Sequence, residues 1–249
     1  MSDHDHSEDR IYAEPQQRLV DFAFDEQVAR VFPDMIRRSV PGYETVISML
    51  GIFAREYVQD NTNIYDLGCS LGAASLAVRR HVQASGCTLI AVDNAEAMVS
   101  HCRDNLERDQ SITSVQVRCE NIQDTHIDNA SLVTLNFTLQ FIKPAERLAL
   151  LSGIYQGLVP GGALVLSEKV KFSDPQTQAM QTDWHLEFKR ANGYSDLEIS
   201  QKRQAIENVL LPDTLDAHRE RLQQAGFRCV QPWFQCFNFV SLVAIKNGD

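Results

Sequence analysis

The segment YDLGCSLGAAS, residues 65–75, gathers residue types that do chemistry at a strand-to-helix turn. Gly68, Ser70 and Gly72 spell G-x-S-x-G, the pattern that presents a nucleophilic serine on a strained turn. Such a serine needs an acid and then a histidine downstream, and Asp93 with His185 or His218 supplies those types in that order. Against this, the turn follows the first strand of the chain's alternation and no HGGG-type oxyanion segment is present. Both histidines also fall in polar helical stretches, where a solvated imidazole is the ordinary state. A dinucleotide turn needs G-x-G-x-x-G to admit a pyrophosphate, and this one supplies only G-x-x-x-G, with few glycines to expose backbone N–H groups.

A third chemistry needs no phosphate site: S-adenosylmethionine carries a ribose and an amino acid. Asp66, ending the first strand, would order the loop or meet the ammonium through water, and Gly68 would let backbone approach the ligand. Asp93 closes TLIAVDN 25 residues after Gly68, where a carboxylate accepts from both ribose hydroxyls. Asn94 is expected to cap the helix that follows, leaving Asp93 to the ligand. Asn136 ends the fourth strand at the carboxyl edge, where ligands of such sheets bind; it either pairs with the amino-acid moiety or forms a turn.

These residues need elements to hold them. NIYDLG, TLIAVDN, SVQVRCEN, SLVTLNF and GALVLSEKV read as strands separated by helical stretches, which means an α/β fold with a parallel sheet covered on both faces. LVPGG reads as a turn before the fifth strand, and the chain closes with a helix and a hairpin that adds an antiparallel last strand. Residues 24–58 read as a helical cap interrupted at Pro33 and again by a loop at 39–43; residues 174–208 form a helical insertion of the kind that carries a lid or a partner surface. Residues 1–23 read as a polar, partly disordered tail, and 24–249 as a single domain.

The formal net charge of −10 argues against a nucleic-acid-binding face. The six cysteines form no C-x-x-C pair and suggest no metal, and His4 and His6 read as part of a solvated tail. An acidic, polar start and the lack of an 18-residue apolar run point to a cytoplasmic protein without a membrane span.

FDEQVARVFPDMIRRSVPGY, YDLGCSLGA, LNFTLQF, PGGALVLSEK, FKRANGYSDLEISQKR and WFQCFNF together resemble the carboxy-S-adenosylmethionine synthase family, over nearly the whole chain from Phe24 to Lys246. The resemblance implies a class I methyltransferase-like (Rossmann-like) fold. It implies conversion of S-adenosylmethionine and prephenate to carboxy-S-adenosylmethionine and phenylpyruvate, the product serving a partner enzyme that modifies wobble uridine of tRNA. It also implies ligand contacts from Tyr43, Gly68, Cys69, Ser70, Asp93, Asn94, Asn121, Ile122, Asn136 and Arg203. Asn121 stands where the family commonly has aspartate; its amide carbonyl can accept from the adenine amino group.

Arg203 fits the family's product, because a guanidinium grips a carboxylate through two parallel hydrogen bonds. From bare sequence it reads equally as a surface ion pair with Glu198 or Glu207. No general base is evident; Tyr43 or Tyr194 would orient groups. A homodimer is expected, in which Arg203 could reach a neighbouring site. The competing readings are a conventional S-adenosylmethionine-dependent methyltransferase of a small molecule or RNA, and a non-catalytic ligand-storing module.

Overall fold

A computed structural model describes residues 8–16 and 20–248 of the 249-residue chain. His4 and His6 lie outside the described residues. Among the described residues seven strands form one sheet in the order β3-β2-β1-β4-β5-β7-β6. They are β1 (Asn63–Leu67), β2 (Thr88–Asp93), β3 (Ser114–Cys119), β4 (Ala130–Asn136), β5 (Leu158–Lys169), β6 (Cys229–Cys236) and β7 (Phe239–Ile245). β7 runs antiparallel to β5 and β6 while the other pairings are parallel, which gives the mostly parallel sheet with an antiparallel last strand that the alternation predicts.

The central strands are apolar almost throughout because both faces are covered. Successive residues go to opposite sides: Tyr65 and Val133 pack with Leu151 and Ile154 of α5 (Pro144–Gly157) and Leu222 of α8 (Leu215–Ala225). Ile64 and Leu132 pack with Leu50 of α2 (Tyr43–Tyr57), Val78 of α3 (Ala73–Arg79) and Leu106 of α4 (Glu96–Glu107). Strand order reverses between β1 and β4, so a crevice opens outside their carboxyl ends.

Three expectations change. Pro33 does not break the cap, since α1 runs unbroken over Glu26–Ser39. A proline inside a helix costs about 3 kcal/mol. Here the Asp25 side chain caps Val28 N–H, and Val28, Val31 and Met35 are buried against Tyr12, Phe22, Met98 and Ala205, which outweighs that cost. The Pro-Gly-Gly turn lies within β5: pairing with β4 jumps from Ala130–Leu158 to Leu132–Ala163, and Gly161 takes the bulge at φ +77°.

The third concerns the tail, because residues 8–16 are a strap packed across α1 and α7 (Asp196–Ile206). Asp9 is buried and accepts from the Tyr194 hydroxyl at 2.5 Å, while its backbone N–H donates to Asp34. Gln201 donates to the Tyr12 and Glu14 carbonyls and accepts from Gln16 N–H. The insertion forms as two helices, α6 (Pro175–Ala191) and α7, and returns over the carboxyl edge of the sheet.

Candidate functional site

A cavity of about 840 Å³ lies outside the carboxyl ends of β1, β2, β4 and β5, roofed by α1, the start of α2, and α6 and α7. It falls within the size range of small-molecule sites. A groove of similar size at the opposite edge, between α5 and residues 123–129, is not at the strand ends where such sheets bind ligands.

The turn after β1 forms the cavity floor. Gly68 (φ +83°) and Ser70 (φ +49°) are both left-handed, and the Gly68 and Cys69 N–H groups donate to the Val92 carbonyl. A Cβ on Gly68 would lie 2.2 Å from the Thr138 hydroxyl oxygen, so the glycine is required by Thr138 packing as well as by the turn. The Ser70 hydroxyl contacts the Met98 sulfur at 3.6 Å and has no histidine partner among the described residues, which argues against the hydrolase reading. Cys69 is buried, and a hydrogen bond with Cys102 together with burial pushes its thiol well up. Asp66 orders the loop, accepting from the Ser75 hydroxyl at 2.5 Å and the Thr134 hydroxyl at 2.8 Å; it is fully buried and does not line the cavity.

Asp93 corrects the expected division of labour at the end of β2. Its carboxylate accepts from Ser70 N–H at 2.9 Å and from Ala95 N–H at 3.0 Å. It therefore fixes the turn that leads into α4, whose N-cap is Ala95 without a side-chain cap, and the Asn94 amide donates instead to the Asn121 side chain at 3.1 Å. Burial raises the Asp93 pKa, opposed by those backbone donors. Each carboxylate oxygen keeps a further lone pair, enough for two ribose hydroxyls.

Tyr43, Gly68, Cys69, Ser70, Asp93, Asn94, Ile122 and Asn136 all line this cavity. The Asn136 side-chain oxygen is buried without a partner among the described residues, an acceptor left open for an N–H donor such as an amino-acid ammonium. Asn121 lies one hydrogen bond behind Asn94 and outside the lining, its carbonyl accepting from the Asn94 amide and its own amide donating to Asp124. Arg203 is exposed on α7 and outside the lining. It pairs with neither candidate acid among the described residues, and Glu198 closes a capping box with Ser195.

The lining also holds groups that the sequence did not single out. Lys169 ends β5, Lys189 lies on α6 and Lys202 on α7. Burial lowers Lys169 to about 8, with Arg203 adding to it; burial with Lys202, Lys169 and Arg203 lowers Lys189 to about 7. Burial lowers Lys202 to about 8 against the pull of Asp9, which lies 3.5 Å away. His185 is buried and not solvated; it donates from Nε2 to the Ser39 carbonyl at 2.8 Å, and burial with Lys189 and Lys169 lowers it to about 2, so it is neutral. His218 is likewise buried, outside the lining. The only signal for the lysines was their place in LSEK, FKRANGYS and SQKR, because a lysine on a polar helix reads by default as solvated.

A family model described as "Methyltransferase domain" matches residues 64–162. Carboxy-S-adenosyl-L-methionine synthases of Shewanella oneidensis and Shewanella sediminis are each 58% identical over 240 residues, 96% of this chain and 99% of theirs. Among solved structures, an O-methyltransferase family protein from Burkholderia thailandensis superposes with a TM-score of 0.64 at 19% identity, covering 90% of this chain and 60% of that one. Human N-acetylserotonin methyltransferase, solved in complex with SAM, gives a TM-score of 0.62 at 15% identity over 90% of this chain and 56% of its own. These two show the fold alone. Among the described residues no group of three or more His, Cys, Asp or Glu could hold a metal ion, and no helix is long and apolar enough to cross a membrane.

Proposed function

The chain belongs to the carboxy-S-adenosyl-L-methionine synthase family, and from that premise we propose that its cavity converts S-adenosyl-L-methionine and prephenate to carboxy-S-adenosyl-L-methionine and phenylpyruvate. The observation that carries this is the extent of the match. It covers 96% of the chain and so includes α6 and α7, which roof the cavity and lie beyond the 64–162 methyltransferase core.

The residues fit S-adenosylmethionine as substrate: Asp93 accepts from the ribose, the turn at Gly68, Cys69 and Ser70 supports the methionyl part, and Asn136 accepts from its ammonium. Tyr43 and Ile122 form walls, and Asn94 contributes its backbone beside Asp93. The reaction balances without an outside oxidant or metal. The bond between the prephenate ring and its carboxyl breaks, the electron pair aromatises the ring, and the ring hydroxyl leaves as hydroxide. That hydroxide takes a proton from the S-methyl group, giving water, and the resulting carbanion adds to the released carbon dioxide. A net charge of −1 enters, as cationic S-adenosylmethionine with dianionic prephenate. The same charge leaves, as neutral carboxylated product with phenylpyruvate. Such a carbanion must be kept from bulk water, and the α6–α7 roof serves that end.

Mass spectrometry of the nucleoside released from purified protein supplied with prephenate tests the reading. A species heavier than S-adenosylmethionine by one carbon dioxide is expected; S-adenosylmethionine and its demethylated form alone would point to a conventional methyltransferase. We further infer a cytoplasmic homodimer that hands its product to a tRNA-modifying enzyme without touching nucleic acid itself. Arg203, exposed and outside its own cavity, is then available to the carboxylate of product in the neighbouring protomer.

A further inference from the structure

The chain is acidic overall, yet one end of its cavity is cationic. Lys169, Lys189 and Lys202 come from three different elements and meet in one lining. Lys202 is answered by Asp9 at 3.5 Å and by the Ser39 hydroxyl at 3.2 Å. Among the described residues, the Lys169 and Lys189 ammonium groups have no hydrogen-bond or ion-pair partner. Gathering like charges in a cavity without a counter-anion opposes folding, and such arrangements mark sites completed by a ligand.

Position separates this end from the nucleoside end. Asp93 lies at the tip of β2 and Lys169 at the tip of β5, three strands away in the sheet, or about 14 Å at the usual interstrand spacing. Asn136, at the tip of β4, stands between them.

We propose that Lys169 and Lys189 form the prephenate subsite and hold the 2-oxo-carboxylate of its side arm, the carboxylate that phenylpyruvate keeps. This rests on the activity assigned above. The choice between the two carboxylates follows from the chemistry of the departing one. Losing carbon dioxide moves negative charge from a carboxylate into the ring, so ammonium groups gripping that carboxylate would favour the ground state over the transition state. Gripping the retained carboxylate orients prephenate at no such expense and leaves the ring carboxylate facing the sulfonium. Lys169 and Lys189 are positioning residues in this assignment, and neutral His185 forms an uncharged wall beside them.

The experiment uses the full chain and the variants Lys169→Met, Lys189→Met and Lys189→Arg. Steady-state kinetics gives KM for prephenate, inhibition by phenylpyruvate gives its Ki, and calorimetry gives the Kd of S-adenosylmethionine. Removing one charged partner is expected to raise the prephenate KM and the phenylpyruvate Ki together, by about 10- to 100-fold, with the S-adenosylmethionine Kd unchanged and Lys189→Arg retaining most of the affinity. A rise in KM with Ki unmoved would overturn the assignment, since the lysines would then hold the departing carboxylate. Weakened S-adenosylmethionine binding would overturn it in favour of the methionyl carboxylate, and no change in any constant would leave no anion subsite here. If the wild-type protein makes no carboxylated product, the activity itself is refuted. Direct calorimetric binding of phenylpyruvate to wild type and to Lys189→Met then still decides the subsite.

Discussion

Asp93 does two jobs with one carboxylate: it ties the β1 turn to the start of α4, and it keeps lone pairs facing the cavity. Replacing it with Ala removes the ribose acceptors and loosens the turn. The expected result is an S-adenosylmethionine Kd raised by at least about tenfold in calorimetry, the loss of one hydrogen bond to a charged group. Lys189 makes the opposite kind of statement, because its ammonium is disfavoured in the folded chain. Its pKa falls from 10.5 to about 7, so between those values the unfolded chain binds the extra proton, and stability rises with pH over that window. Below about pH 7 both states are protonated and the full penalty is present. Lys189→Met should therefore raise Tm by roughly 2–4 °C near pH 6.5, the shift of about 1 kcal/mol in a chain of this size, with the gain fading by pH 10. Differential scanning calorimetry across that range checks it. Lys169, Lys202, Arg203 and His185 surround this ammonium, while Asp9 acts chiefly on Lys202.

Helix α7 is held from both ends of the chain. Its capping box joins Ser195 and Glu198, and Gln201 on its buried face binds the strap through Tyr12, Glu14 and Gln16. The same helix carries Lys202 into the cavity and presents Arg203 outward. Ser195→Ala should lower stability by about 1 kcal/mol and raise the prephenate KM more than the S-adenosylmethionine Kd, because the cap anchors the first turn of the helix that carries Lys202 beside Lys189. Thermal melts with parallel kinetics measure both. Much of this architecture was readable beforehand. The strand alternation places the turn, Asp93 and Asn136 at one edge, because ligands of open α/β sheets bind outside the carboxyl ends. The strap was not readable: Asp9 and Tyr12 lie in a polar stretch with no period, and Asp34, Arg38, Tyr194, Gln201 and Lys202, distant along the chain, give them partners.

For the whole molecule, the position of Arg203 bears on assembly. Its guanidinium is exposed and outside the lining of its own cavity, though near enough to lower Lys169 and Lys189, and the proposed homodimer would let it meet product in the partner's cavity. Sedimentation should then give a dimer. Mixing Asp93→Ala with Arg203→Ala subunits, each inactive alone, should restore part of the activity, since a mixed pair contains one site with both residues intact. No recovery after verified subunit exchange would place Arg203 in its own subunit's structure instead.

Sequence alone determined the sheet, the edge at which the cavity opens and the family, because these rest on local periodicity, on turn residues and on motifs contiguous in the chain. Tertiary structure decided which groups share a space. Ala95, not Asn94, stands at the α4 cap, because backbone geometry turns the chain there and brings Ala95 N–H to the Asp93 carboxylate. Asn121 was drawn behind Asn94, Pro33 was carried inside a helix by burial of its neighbours, and both histidines were buried. The meeting of Lys169, Lys189 and Lys202 belongs to the same class. Burial and mutual repulsion arise only where β5, α6 and α7 converge, and no pattern of single residues along the chain records that convergence.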